Sequence, residues 1–346
     1  MGNNKRALVI SYFPRSIRYE GIRKIALSRY RKLEKQGFQP TLIVPIKGDV
    51  PKNISHIYMF TKPPLLGFIF IIIKMMITVS RLQDKSITIC CLENSLATPF
   101  MTVWLRLTRF RGNIVTHFLC PIQSAGEISK NLFRYKERQM ITHLFLNNFV
   151  LAWISSLFMD KNIKFIVGSR YQKEQLEKFG IKAKVTNPYQ ISKVNKNTKK
   201  FLAPEKVGYL GHFSSIKGVD LLILAFEKST EDIPNLELHI AWSGLGGESK
   251  KIIKMINQQE HKNRIKLHGI VNPIKFIQHL DLLVLPYKLN SVPIPPAVLH
   301  EAVTAGTPVL ISDLPGLSGT YHNSCLYFKA NNVESLKKAI VDFFEK

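Results

Sequence analysis

The chain has 346 residues, 45% of them hydrophobic, enough for two domains with a core each and incompatible with a disordered protein. Its net charge of +25 is lopsided, because residues 1–200 hold 34 Lys and Arg against 10 Asp and Glu while the remainder holds 15 against 14. One half therefore suits a polyanionic partner, whether nucleic acid, acidic lipid headgroups or a phosphorylated substrate, and the other half has a different task.

In chain order, MGNNKRALVISYF passes from a short basic start into a strand-like run without a cleavable signal, so secretion is not expected and a cytoplasmic location is. ALVISYF (7–13), an amphipathic helix over 21–37 and PTLIVP (40–45) make a βαβ opening and hence a parallel sheet. LLGFIFIIIKMMITV (65–79) is apolar apart from Lys74 and shorter than the roughly 20 residues that span a bilayer. A second apolar run, MITHLFLNNFVLAWISSLFM, covers 140–159. Both runs read either as core helices or, given Lys62, Arg81, Arg134, Lys136 and Arg138 around them, as a contact with an anionic membrane surface. ITICCL (87–92), NIVTHFL (113–119) and KFIVGS (164–169) continue the strands, and YQKEQLEKFG (171–180) is a short charged helix. Cys90, Cys91, Cys120 and Cys325 lack metal-ligand spacing and point to a reducing compartment.

Apolar periodicity lapses after residue 186, which divides the chain into a strongly basic domain 1–190, a linker 191–205 and a second domain 206–346. The α/β rhythm then restarts with VGYLG (207–211), a helix over 218–228, LELHIAW (236–242), a helix over 249–256, IKLHG (265–269), DLLVLPY (281–287) and a terminal helix over 333–346. The expected fold class is α/β, two doubly wound Rossmann-like domains, with ligands at the carboxyl ends of the strands in a cleft between them. In VPIPPAVLHEAVTAGTPVLISD (292–313), Pro295 and Pro296 suit the first turn of a helix that offers the amides of Ala297, Val298 and Leu299 to an anion. Glu301 falls on its small-residue stripe, and Gly306 ends it before a buried strand.

At VGYLGHFSSIKGVDLLILAF (207–226), a strand, a glycine turn and Lys217-Gly218 before an apolar helix resemble the donor-phosphate loop of family 4 glycosyltransferases, which have the two-Rossmann GT-B fold. SYFPRSIRYEGIRKIA (11–26), GNIVTHF (112–118), FIVGSRYQKEQLEKFG (165–180), SGLGG (243–247) and PPAVLHEAVTAGTPVLISD (295–313) resemble further elements of that family in order. The resemblance implies a retaining glycosyltransferase that moves a sugar from a nucleotide diphosphate donor to a lipid-linked or phosphorylated glycan acceptor. It implies His117, Lys217 and Glu301 as catalytic residues. Donor or substrate contacts would come from Gly21, Gly211, His212, Ser243, Gly244, Ala297, Val298 and Leu299. A leaving diphosphate gathers negative charge, so Lys217 and helix amides beside it would stabilise the transition state, and Glu301 would accept hydrogen bonds from the ribose.

Two positions depart from the family pattern: Pro293 stands where the family has another glutamate, and His212 where it usually has arginine. They leave room for a catalytically silent binding protein of the same fold. No cofactor or metal is expected, since the sequence contains no Asp-x-Asp and no Cys/His cluster. A nucleic-acid-binding protein rests on charge alone, and no recognition module supports a specific nucleic acid.

Overall fold

Two parallel sheets, each covered by its own helices, account for the described chain. The computed structural model of the protein describes residues 5–11, 21–46, 50–60, 67–82, 86–93, 98–118, 121–122, 126, 157, 161–186, 204–242, 248–289, 296–318 and 325–345. It divides into Met1–Tyr189 and Gln190–Lys346. Most of the expected linker 191–205 and nearly all of the 140–159 run lie outside the described residues, as do Cys120, Lys62, Arg134, Lys136 and Arg138.

In the first unit β1 (Arg6–Ile10), β2 (Gln39–Ile46), β3 (His56–Phe60), β4 (Ile87–Leu92), β5 (Asn113–Phe118), β6 (Ile163–Val167) and β7 (Ala183–Val185) form one sheet in the order β3-β2-β1-β4-β5-β6-β7. Every ladder is parallel. Strands buried on both faces read as apolar runs rather than alternations, which is why ITICCL is legible as a strand. The helices are α1 (Gly21–Lys35), α2 (Gly67–Leu82), α3 (Thr98–Leu107) and α4 (Arg170–Glu177). Ser169 and Gln172 close a reciprocal capping box on α4. Gln172 Nε2 also donates to the Phe118 carbonyl at 3.1 Å, tying α4 to the end of β5.

In α2, Met75 and Val79 are buried in the core and the Trp104 indole of α3 donates to Ser80 Oγ at 2.9 Å. Ile73 (48% exposed), Ile77 (45%) and Arg81 recur at i, i+4 and i+8 on the outer face, with exposed Lys74 beside them. From Ile73 to Arg81 the helix thus has one core face and one surface face. Among the described residues no helix is long and apolar enough to cross a membrane.

The second unit holds β8 (Lys206–Leu210), β9 (Glu237–Ala241), β10 (Ile265–His268), β11 (Leu282–Leu285), β12 (Val309–Ser312) and β13 (Leu326–Phe328). They pair in parallel in the order β10-β9-β8-β11-β12-β13. Its helices are α5 (Val219–Ser229), α6 (Ser249–Asn257), α7 (Pro273–Gln278), α8 (Ala297–Ala305), α9 (Pro315–Ser318) and α10 (Val333–Phe344). One core cluster, around Tyr209, Phe226 and Leu336, sits between the sheet and α5, α6 and α10, and another, around Leu283, Leu299 and Ile311, between the sheet and α7 and α8.

Candidate functional site

In each sheet the strand order reverses once. Open parallel sheets bind ligands outside the carboxyl ends of the strands at that switch point. The switch points lie between β1 and β4 in the first unit and between β8 and β11 in the second.

At the second unit's switch point the chain leaves β8 through Gly211 and His212, makes one turn of 3-10 helix over Ser215–Lys217, and enters α5 at Gly218. Gly211 N donates to the Ala241 carbonyl at 3.1 Å, and the buried Tyr209 hydroxyl donates to the His212 carbonyl at 2.8 Å. Gly218 has φ +70°, and a Cβ there would fall 1.8 Å from the Pro286 carbonyl oxygen just beyond β11. A left-handed conformation and a backbone contact together require glycine. The same strand end grips the loop further: Lys288 N donates to the Ile216 carbonyl at 2.9 Å, and Lys288 pairs with Asp220 at 2.5 Å. Lys217 Nζ rests 4.4 Å from the centre of the Tyr287 ring. The lysine is therefore carried on a turn whose backbone has little freedom.

Helix α8 begins at Ala297 with Pro296 as its N-cap residue (φ −62°, ψ 137°), so Pro296 lies just ahead of the first turn rather than within it. Its proline φ still presets the entry, and the residue keeps extended ψ because its successor is the first with helical geometry. Leu299 is buried, Ala297 and Val298 are half-buried, and Gly306 closes the helix at φ 73°. Glu301 is 7% exposed, a buried group on the stripe with Ala302. Ser243, Gly244, Pro293 and Pro295 lie outside the described residues.

His212, half-buried, is held below the ordinary histidine range by burial and, second, by the Lys217 charge. In the unliganded chain the loop thus presents one cation, Lys217, and a neutral imidazole at neutral pH. Trp242, directly after β9, stacks on Phe213 with centroids 4.9 Å apart.

At the first unit's switch point Glu93 follows β4, with its N–H on the Ile10 carbonyl at 2.8 Å. His117, near the end of β5, is fully buried, and its Nδ1 lies 2.7 Å from Glu93 Oε2. Arg29 of α1 donates through Nε to Glu93 Oε1 at 2.5 Å. Burial alone would raise the Glu93 carboxyl, but Arg29 and then His117 outweigh it and bring it down to about 2. Gly21 is the first residue of α1. Neither Glu93 nor Arg29 was singled out in the sequence. The available signal was a lone carboxylate directly after the apolar ITICCL, whereas Arg29 is hidden among the basic residues of α1.

Elsewhere in the second unit, Glu227, Glu260 and His261 each bring one ligand atom within 4.8 Å of the others. Glu227 Oε1 accepts from the Glu260 and His261 amides and from His261 Nδ1, at 3.0, 3.2 and 2.9 Å, which makes it a staple for the turn after α6.

The two sheets with alternating helices are the GT-B fold of glycosyltransferases. Residues 190–346 match the family model described as glycosyl transferases group 1. An uncharacterized glycosyltransferase of Methanocaldococcus jannaschii is 30% identical over 105 residues, which is 30% of this chain and 25% of that relative. Among solved structures, HepE of Anabaena in complex with UDP and glucose superposes with a TM-score of 0.66 at 15% identity, over 98% of this chain and 89% of that one. The lipopolysaccharide outer core galactosyltransferase WaaB gives 0.65 at 14% identity, over 98% and 90%. WaaG, a glycosyltransferase involved in lipopolysaccharide biosynthesis, gives 0.66 at 13% identity, over 99% and 90%. At such identities the likeness is one of fold.

Proposed function

We propose that the protein is a glycosyltransferase that moves a sugar from a nucleotide diphosphate donor, held by the second unit, to a lipid-linked or phosphorylated glycan acceptor at the first. The observation that carries this reading is the Lys217 turn, pinned by Pro286, Tyr287 and Lys288 at the switch point of a sheet whose sequence matches a glycosyltransferase domain. Preorganised charge costs no reorganisation when the leaving diphosphate forms, so Lys217 contributes most in the transition state. The α8 amides from Ala297 onward would add a helix N-terminus, and Glu301 would hold the ribose. A catalytic role for His117 is carried over from the resemblance to family 4. Support for a diphosphate donor comes from solved structures of the same fold bound to UDP. Retention of anomeric configuration is carried over from the resemblance to family 4.

The acceptor side follows from the charge of the first unit and from α2, whose outer stripe of Ile73 and Ile77 flanked by Lys74 and Arg81 suits an anionic headgroup layer. The enzyme would then work as a peripheral protein on the cytoplasmic face of a membrane, without a cofactor or metal. A thermal-shift screen of nucleoside diphosphates and their sugars, followed by sugar release and transfer to a polyprenyl-diphosphate glycan, tests the reading. A true donor at a hundredfold its Kd adds about 2.7 kcal/mol. If no nucleotide raises the melting temperature and no sugar is released or transferred, the reading fails.

A further inference from the structure

One face of the second sheet carries a polar cluster that the Lys217 turn does not use. Side chains alternate along a strand, so Glu237 and His239 of β9 share a face, and the register that pairs His239 with Lys266 puts His268 of β10 on that face too. The cluster packs against α7: the His268 ring meets Phe276 edge-on at 5.3 Å, and His279, which follows α7, stands edge-on to His239 at 6.0 Å. Both strands lie to one side of the β8–β11 switch point, with β10 at the edge of the sheet.

His239 is buried, and its two ring nitrogens have different neighbours. Nε2 lies 3.1 Å from Glu237 Oε2, and Nδ1 lies 3.1 Å from His268 Nε2. A carboxylate only accepts hydrogen bonds, so Nε2 carries the hydrogen and Nδ1 keeps a lone pair toward the second imidazole. A carboxylate behind one ring nitrogen is how metal-bound histidines are oriented. Two imidazole nitrogens on one zinc ion, at about 2.0–2.1 Å and the tetrahedral angle, stand about 3.3 Å apart. The pair is within about 0.2 Å of that spacing. Without an ion, His268 Nε2–H donates to His239 Nδ1; with one, half-buried His268 passes that hydrogen to its own Nδ1 through water, and two neutral imidazoles present two lone pairs. Burial, above all, holds both rings below the ordinary histidine range, which keeps them neutral at neutral pH. The other charges nearby are Lys266, exposed and 4.0 Å from Glu237 Oε1, and Lys206, 3.3 Å from His279 Nε2 in a surface contact.

We propose that His239 and His268 chelate a divalent zinc-type ion, with Glu237 as the positioning residue behind His239 and water in the remaining coordination positions. Imidazole nitrogen suits zinc, nickel and copper, whereas magnesium and calcium take oxygen ligands. Such an ion would tie the edge strand β10 to β9, and the site does not depend on the glycosyltransferase reading. The histidines are 29 residues apart, a separation with no ligand motif in it, and only the β9–β10 pairing joins them.

Calorimetric titration of the full chain with Zn²⁺ in excess Mg²⁺ tests the proposal. His239→Gln and His268→Gln should each bind one Zn²⁺ fewer than the wild type, and Glu237→Gln should hold that ion about ten to a hundredfold more weakly. Long-range ¹H–¹⁵N imidazole spectra, with signals assigned by their loss in the two histidine variants, should show Zn²⁺ shifting His239 Nδ1 and His268 Nε2 while the His239 hydrogen stays on Nε2. His268→Gln, at a half-buried position, decides the matter if His239→Gln does not fold. Equal Zn²⁺ binding by the wild type and His268→Gln, displacement of the ion by Mg²⁺, or wild-type imidazole signals indifferent to Zn²⁺ would each overturn the chelate and leave a plain histidine–histidine hydrogen bond. Undiminished binding by Glu237→Gln would overturn the positioning role.

Discussion

Replacing Gly218 by alanine should damage the second unit far more than the same change at Gly37, although both glycines have positive φ, +70° and +82°. An L-residue in the left-handed region costs roughly 1–2 kcal/mol at either place. At Gly37 a new Cβ meets nothing within 4 Å, so that is the whole cost. At Gly218 the Cβ would stand 1.8 Å from the Pro286 oxygen, a backbone atom that cannot rotate away. Forcing a methyl into a packed site adds about 1–3 kcal/mol, for a total of roughly 2–5 kcal/mol. The displaced atoms belong to the turn that carries Lys217 and to the strand end that carries Tyr287, so donor binding should fall together with stability. A chain of two units need not unfold in one step, so hydrogen exchange read by mass spectrometry is the suitable assay. Peptides covering Val219–Ser229 should exchange at least about tenfold faster in Gly218→Ala, with peptides of the first unit unchanged. Wild-type exchange and wild-type UDP affinity in this variant would refute the argument that the turn is clamped.

Lys217→Ala should lower kcat by about 10²–10³ while the melting temperature stays nearly unchanged, since its stacking on Tyr287 is worth only about 0.5–1 kcal/mol; steady-state transfer assays with thermal denaturation check both halves. Glu93, whose carboxyl is brought down to about 2 by Arg29 and His117 against its burial, lies below its unfolded value, so its contribution is present above about pH 4.5 and is lost as the pH falls through about 2. That contribution is on the order of 3 kcal/mol, and acid unfolding of the wild type and Glu93→Gln along the same curve would contradict it. His212 is neutral in the free chain above its lowered pKa, so calorimetric UDP affinity should stay level from pH 7 to 9, and a decline with proton uptake would mean that the diphosphate recharges the imidazole. Exchanging Lys74 and Arg81 for glutamine should weaken binding to phosphatidylserine vesicles by about tenfold or more, at about 1 kcal/mol per basic residue, whereas unchanged binding would detach α2 from the membrane reading.

The alternation of elements was legible because buried parallel strands leave unbroken apolar runs: ITICCL is β4 to the residue, and the restart after the linker gives β8, α5 and β9 within a residue or two. Shorter elements such as β3, β7 and β13 escaped notice because three to five residues of mixed polarity carry no period. At the sites, Lys217-Gly218 stood out, but the reason for the glycine did not, since Pro286 is 68 residues away and only the β8–β11 pairing brings it near. Glu301 is buried, so Glu301→Ala would cost stability as well as any ligand contact, and Glu301→Gln is the cleaner variant. Arg29, Glu93 and His117 meet only because β4 lies between β1 and β5 in the sheet, an order that sequence alone does not reveal.

Each sheet is assembled from strands of its own unit, and among the described residues neither borrows a strand from the other. Such a partition lets a change in one sheet leave the hydrogen-bonded ladders of the other intact. In the second unit Gly218 must stay against the Pro286 carbonyl for the turn to hold Lys217, and both residues fall within 190–346, the stretch that matches the family model. On the proposed reading the basic half would serve the acceptor, and its strands could change without entering the other sheet. A chimaera joining residues 190–346 to the first unit of another GT-B enzyme should accordingly inherit the donor preference of this protein and the acceptor preference of the other.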